Sequence, residues 1–170
     1  AAKELDAQIK AKEKEYAAQI ANVPSESGYL WPLPSSINTL SSYYGPRKDP
    51  FTGKAKNHTG IDVPAARGTK IYAAKSGVVT TSMLGSGGSW AYGNHVVVSH
   101  SDGTSTLYAH MSSRAVKQGQ VVKQGDVIGY VGTTGRSTGN HLHFEIRVGS
   151  TRKDPVDYFK DKALYGRDNG

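Results

Sequence analysis

The stretch Val116–Val131, VKQGQVVKQGDVIGYV, repeats the unit V-K-Q-G within a few residues and closes each copy with a glycine. Runs of β-type residues bounded by Gly and Asp at this spacing place turns only a few residues apart. Turns so close together suit a tightly folded hairpin sandwich better than βαβ units. Working outward, Lys70–Ala74, Gly77–Ser82, His95–His100, Ser105–His110, Val127–Val131 and Leu142–Val148 read as further short strands separated by Gly, Asp or Ser turns. No helical period appears between residues 60 and 150. The expected fold is therefore mainly β, a small antiparallel β-sheet sandwich. Gly85–Gly88 and Thr133–Gly139 are flexible loops expected to border a groove.

The first 22 residues differ in texture. AAKELDAQIKAKEKEYAAQIAN lacks Gly and Pro, and Leu5, Ile9, Tyr16 and Ile20 fall on one helical stripe. Residues 1–22 are expected to be a helix, the end of a coiled coil whose seam is interrupted at Lys12 or Glu13. Such a helix is either a regulatory or spacer arm, or an element packed on the domain. Pro24 to Gly28 ends it. Residues 23–50 read as linker and lead-in, with Thr39–Tyr44 the one candidate strand. The main domain is expected over 51–160 and a C-terminal tail over 161–170.

At 170 residues the chain supports one domain with a real core. No apolar run approaches the roughly 18 residues that span a bilayer. The chain does not begin with Met and shows no basic region followed by an apolar stretch, so it reads as a mature or trimmed fragment. Cysteine is absent, which excludes disulfides, thiolate metal sites and a Cys nucleophile. The formal charge of +7 favours polyanionic surroundings. Basic residues are not clustered with aromatics, so nucleic acid is not supported.

All six histidines lie between positions 58 and 143. H-T-G-I-D offers His58 and Asp62, an imidazole and a carboxylate that both suit zinc, with Gly60 letting the backbone bend between them. H-L-H-F-E offers His141 and His143, which project from one face of a strand while Leu142 and Phe144 take the other. L-Y-A-H places His110 at the end of a strand. A catalytic zinc site takes three protein ligands and one open position, with a base or stabiliser beside it. His58, Asp62 and one of the final pair can supply the ligands; spacing does not say which one. His95 and His100 read as structural or groove-edge residues. Glu145 falls on the face of His141 and His143, either orienting an imidazole or exposed.

His58–Asp62, Tyr108–Ala109–His110 and His141–Leu142–His143, in this order and together with W-P-L-P, Y-G-P-R and H-T-G-I-D-V-P-A, resemble the M23 metallopeptidases of the lysostaphin and LytM type. The Y-G-N-x-V-V-V-x-H segment and the run V-K-Q-G-D-V-I-G-Y-V-G-T-T-G-R-S-T-G-N-H-L-H-F-E complete the match, which covers roughly residues 30–160. The resemblance implies that His58, Asp62 and His143 hold one Zn2+ per chain, with His110 and His141 the catalytic pair beside it. It implies a groove whose floor carries the metal, and hydrolysis of peptidoglycan peptide bonds, in cross-bridge or stem, by metal-activated water. Which of His110 and His141 is the base stays open. It also implies a secreted, cell-wall or envelope protein outside the cytoplasm. Anionic wall polymers, and a partner protein on the N-terminal helix, are further expected contacts. Two other readings are a non-hydrolysing regulator of a partner hydrolase and a carrier-like hairpin module.

Overall fold

The computed structural model describes residues 2–48, 52–85, 92–135, 137 and 139–166. Two helical segments, α1 (Ala2–Glu15) and α2 (Ala17–Ala21), precede the strands. Three short strands follow: β1 (Thr39–Leu40), β2 (Gly45–Lys48) and β3 (Ala55–His58). The main sheet is built from β4 (Ile61–Pro64), β5 (Lys70–Tyr72), β6 (Gly77–Met83), β7 (Asn94–Ser99), β8 (Thr104–Arg114), β9 (Val121–Val122), β10 (Val127–Val131), β11 (His141–Val148) and β12 (Thr151–Lys153). A 3-10 turn, Pro155–Tyr158, and β13 (Tyr165–Gly166) close the described chain.

The nine-stranded sheet runs β12-β11-β8-β7-β6-β9, with β4 beside β11 and β10 joining β8 to β5. All of its recorded pairings are antiparallel, as the short hairpin turns require. The β11 strand is central. Its first half lies between β4 and β8, its second between β12 and β8. Leu142, Phe144 and Ile146 point into the main core with Val96, Val98, Tyr108, Ile128 and Val131. The intervening His143, Glu145 and Arg147 are buried on the opposite face, because successive strand side chains alternate.

That opposite face is covered by α1. Leu5 and Ile9 pack against Tyr92, Val97, Leu107 and Ala109 and are fully buried, each contributing roughly 1.5–3 kcal/mol of apolar burial. Asp6 and Glu13 of the same helix reach polar groups of the sheet, at Arg152 and Ser99. The expected helix is present, and its apolar stripe docks on the chain's own domain through Leu5 and Ile9. Tyr16 and Ile20 are only half-buried.

The lead-in is more ordered than its prolines suggested. β2 pairs with β3 antiparallel, placing Gly45 opposite His58, and β1 pairs with β13. Pro46 lies in β2, a strand bonded on one side only among the described residues. An edge position tolerates proline because no second ladder needs its missing N–H. The loop expected at Gly85–Gly88 lies, beyond Gly85, outside the described residues, as do 136 and 138 in the Thr133–Gly139 loop and 167–170 of the tail.

His100 sits in a buried polar chain away from the sequence's other histidines. Its Nδ1 is 2.9 Å from the Ser76 carbonyl oxygen and its Nε2 is 3.0 Å from Thr106 Oγ1. Tyr108 Oη lies 2.7 Å from Thr106 Oγ1 and accepts from Ala74 N–H. One consistent assignment runs from Ala74 N–H through Tyr108 and Thr106 to His100 Nε2, with His100 Nδ1–H donating to Ser76. It keeps the imidazole neutral. Burial pushes its pKa down to about 4, from 6.5. Because the unfolded chain binds this proton first, stability falls as pH drops from 6.5 towards 4. Urea denaturation of metal-free protein across that window should show the loss. His100→Gln should remove up to about 1.4 kcal/mol per pH unit of slope.

Candidate metal centre

Register brings the ligand candidates together. In the β11–β4 ladder His143 stands opposite Asp62, and in the β11–β8 ladder it stands opposite Ala109, the neighbour of His110. His58 ends β3, three residues before β4 begins. Ser42 forms a bridge with Asp62: Ser41 N–H donates to the Asp62 carbonyl and Asp62 N–H to the Ser42 carbonyl. The lead-in thus forms one wall of the site.

One atom from each of His58, Asp62 and His143 lies within 4.8 Å of the others. His143 Nδ1 is 2.9 Å from Asp62 Oδ1, His58 Nε2 is 3.3 Å from the same oxygen, and the two ring nitrogens are 3.2 Å apart. Donors bonded to a tetrahedral zinc at about 2.1 Å stand about 3.4 Å from one another. The three atoms, 2.9–3.3 Å apart, stand close to that spacing and could hold a metal ion. All three residues are buried.

The far side of each ring fixes its orientation. His58 Nδ1–H donates to the Tyr43 carbonyl at 3.0 Å, leaving Nε2 as the electron-pair donor. His143 uses the opposite nitrogen: Nε2–H donates to Glu145 Oε2 at 2.8 Å, leaving Nδ1 facing Asp62. Metal-binding imidazoles are held in this way by a carbonyl or carboxylate behind them. Burial alone would lower the His143 pKa, but its bonds to Asp62 and Glu145 outweigh that and raise it to about 9. Burial likewise opposes the charge on Glu145, yet His143, Arg152 and Thr59 hold it down at about 2. Asp62 is held well below the usual carboxylate range by His143 and His58, against the effect of its burial.

His110 and His141 face this group from its other side. His141 Nδ1–H donates to the Gly139 carbonyl at 2.8 Å, and its Nε2 is 3.5 Å from Asp62 Oδ1. His110 Nδ1–H donates to the Thr134 carbonyl at 2.7 Å, and its ring lies 4.9 Å from that of His141. Burial and the neighbouring His143 and His141 push His110 down to about 3; burial also lowers His141. Both are neutral at physiological pH, with Nε2 free to accept a proton. His110 has φ 61, the only non-glycine residue with positive φ among those described. It sits where the β7–β8 register shifts, a bulge that re-aims its side chain out of the alternating pattern.

Peptidase family M23 matches residues 56–156 by its sequence profile. The chain belongs to this family. It is 43% identical over 123 residues to the DD-carboxypeptidase/endopeptidase Mpg of Neisseria meningitidis, covering 72% of this chain and 27% of that protein. It is 43% identical over 137 residues to the peptidoglycan DD-endopeptidase ShyC of Vibrio cholerae, covering 79% of this chain and 31% of that one. The M23 chain thus spans about a third or less of these curated relatives. A zinc-containing peptidase of Vibrio cholerae superposes with TM-score 0.70 at 32% identity, over 82% of this chain and 41% of that one.

The site of this M23 chain collects all five residues singled out in the sequence. It leaves out His95 and His100. His95 is buried and donates Nδ1–H to Gly93, while its Nε2 has no hydrogen-bond partner among the described residues. Glu145 is fully buried and bonded to His143, not exposed. Sequence reasoning missed Tyr43, Thr134 and Gly139, which act through backbone carbonyls that no side-chain pattern encodes. It also missed Thr59, Tyr92 and Arg152, which converge on Glu145.

Gly60 has a different role from the bend expected of it. A Cβ there would run into the Phe144 carbonyl and stand 2.9 Å from Glu145 Cγ. The glycine allows the H-T-G-I-D loop to lie directly on β11. Gly60→Ala should cost roughly 1–3 kcal/mol of stability in urea unfolding. It should also weaken the binding of any metal ion at this site by spreading His58 from His143.

Proposed function

We propose that this chain is a zinc endopeptidase that cuts D,D-type peptide bonds in bacterial peptidoglycan, outside the cytoplasm. The observation that carries the reading is the spacing of His58 Nε2, Asp62 Oδ1 and His143 Nδ1, with two neutral imidazoles opposite them. His58, Asp62 and His143 would hold the ion. Bound zinc supplies Lewis-acid polarisation of the scissile carbonyl and lowers the pKa of water to about 7.

The chain's own groups divide the remaining work. His141 has the Asp62 carboxylate 3.5 Å from its Nε2, which favours the imidazolium it becomes. It is the proton acceptor for the attacking water, and Nδ1–H donation to Gly139 keeps the accepting nitrogen aimed inward. Once protonated, His141 can pass that proton to the leaving nitrogen. No ion pair joins His110 to a carboxylate among the described residues, and its ring faces His141 and His143. It stays neutral and orients the water through Nε2, held by the Thr134 carbonyl.

The D,D assignment rests on the names of Mpg and ShyC, and the domain boundaries at 51–160 belong to the same proposal. A regulator that does not hydrolyse has no need of His110 and His141 held neutral beside three ligands. No helix among the described residues is long and apolar enough to cross a membrane. The +7 charge suits anionic wall polymers as surroundings.

Purified protein should carry about one zinc per chain and release amino groups from isolated peptidoglycan. Mass spectrometry of the digest should find cross-linked dimers resolved at the D,D bond. His143→Ala should lose both metal and activity. His110→Ala should keep the zinc while losing about 10²–10⁴-fold in kcat/KM. Zinc-loaded protein that leaves cross-linked dimers intact would sink the enzymatic reading.

A further inference from the structure

Behind the metal centre runs a chain of hydrogen bonds that ends on the N-terminal helix. His143 Nε2–H donates to Glu145 Oε2 at 2.8 Å. The other Glu145 oxygen, Oε1, accepts from Arg152 Nε at 2.9 Å. Arg152 then turns its remaining two nitrogens to Asp6 of α1: Nη1 to Oδ2 at 3.0 Å and Nη2 to Oδ1 at 2.8 Å. Arg152 therefore joins two carboxylates, pairing bidentately with Asp6, a geometry that a lysine could not reproduce. A second guanidinium, Arg147 on β11, has Nη2 3.5 Å from Asp6 Oδ1. Its side chain is 2% exposed, and Nε and Nη1 have no hydrogen-bond partner among the described residues.

The placement of Asp6 is enforced by packing. Leu5 precedes it and Ile9 lies one turn later, both fully buried against Val97, Leu107 and Ala109. Undocking the helix would leave Arg152 with Glu145 as its one remaining carboxylate partner among the described residues, and would open this face to water. Arg152, released from Asp6, would then draw more strongly on that carboxylate, which His143 needs as an acceptor. A weaker acceptor behind an imidazole makes it a poorer and less well aimed metal ligand.

We infer that α1 is a working part of the metal centre: Asp6 and Arg152 are positioning residues that act through Glu145 to hold His143 for its metal. The inference rests on the zinc site proposed above. It assigns the helix a role that neither pure packing nor a spacer arm supplies, because loss of one helix carboxylate should be felt at a ligand two side chains away.

Zinc affinity of the full chain, measured by competition with a chromophoric chelator, tests this without reference to catalysis. Glu145→Gln should weaken binding about 10–100-fold, and Asp6→Asn about tenfold. The double variant should be no weaker than Glu145→Gln alone, since both changes act on one path. Glu13→Gln, on the same helix but bonded to Ser99, should leave affinity unchanged. Asp6→Glu, which keeps the charge, should restore most of the loss; it also serves if Asp6→Asn fails to give the native circular dichroism spectrum. Unchanged zinc affinity in Asp6→Asn would overturn the relay, as would losses that simply add in the double variant. A wild-type chain that binds no zinc would instead overturn the metal centre, and the relay with it.

Discussion

The register of β11 against β4 and β8 is the constraint on which the rest of the structure depends. It sets His143 opposite Asp62 on one side and opposite Ala109 on the other. It also decides which residues are core. Leu142, Phe144 and Ile146 go to the apolar side, while His143, Glu145 and Arg147 go to the other. A slip of one residue would exchange the two sets, burying three polar groups in the main core and turning three hydrophobic ones to the site. Apolar burial of Leu142, Phe144 and Ile146 on one face thus fixes the chemistry on the other.

The imidazoles share one solution to a common problem. A ring that must present a free electron pair inside a protein has to lose its other N–H to a fixed acceptor, or it will rotate. His58, His110 and His141 each use a backbone carbonyl, of Tyr43, Thr134 and Gly139. Carbonyls are suited to this because they cannot take up a proton and change the tautomer. His143 differs in using a carboxylate, Glu145. A charged acceptor makes the ring more basic, which suits a metal ligand better than a group that must release its proton again. Within H-L-H the difference in acceptor is consistent with the proposed roles of His143 as ligand and His141 as base, although His58 shows that a ligand can also use a carbonyl.

The convergence of the five proposed site residues was legible because their spacing carries the geometry. H-x-H on a strand puts two rings on one face, and H-T-G-I-D reaches from one strand to the next. Choosing His143 over His141 needed the family resemblance, since alternation treats the two alike. The strands of the lead-in were hidden by their composition. G-P-R-K contains both Gly and Pro and is a strand because it borders A-K-N-H, a tertiary fact with no local signature. The helix was legible from its stripe, but Asp6 was not. On a helical wheel it is one more exposed acid, and only the docked orientation turns it towards Arg152.

Charge balance ties the site to its surroundings. Three carboxylates, Asp6, Asp62 and Glu145, lie in one connected cluster with two guanidiniums, Arg147 and Arg152. Without a cation the same carboxylates keep His143 protonated and the cluster is neutral; a divalent cation that displaces that proton brings it to one positive. It stays within one unit of neutrality in either state, which matters where burial makes uncompensated charge costly. Take away the helix carboxylate and the cluster becomes singly positive without the cation and doubly positive with it, a shift that opposes cation binding. Asp6 thus serves the centre electrostatically as well as through its hydrogen bonds, and both effects reach His143 through Arg152 and Glu145.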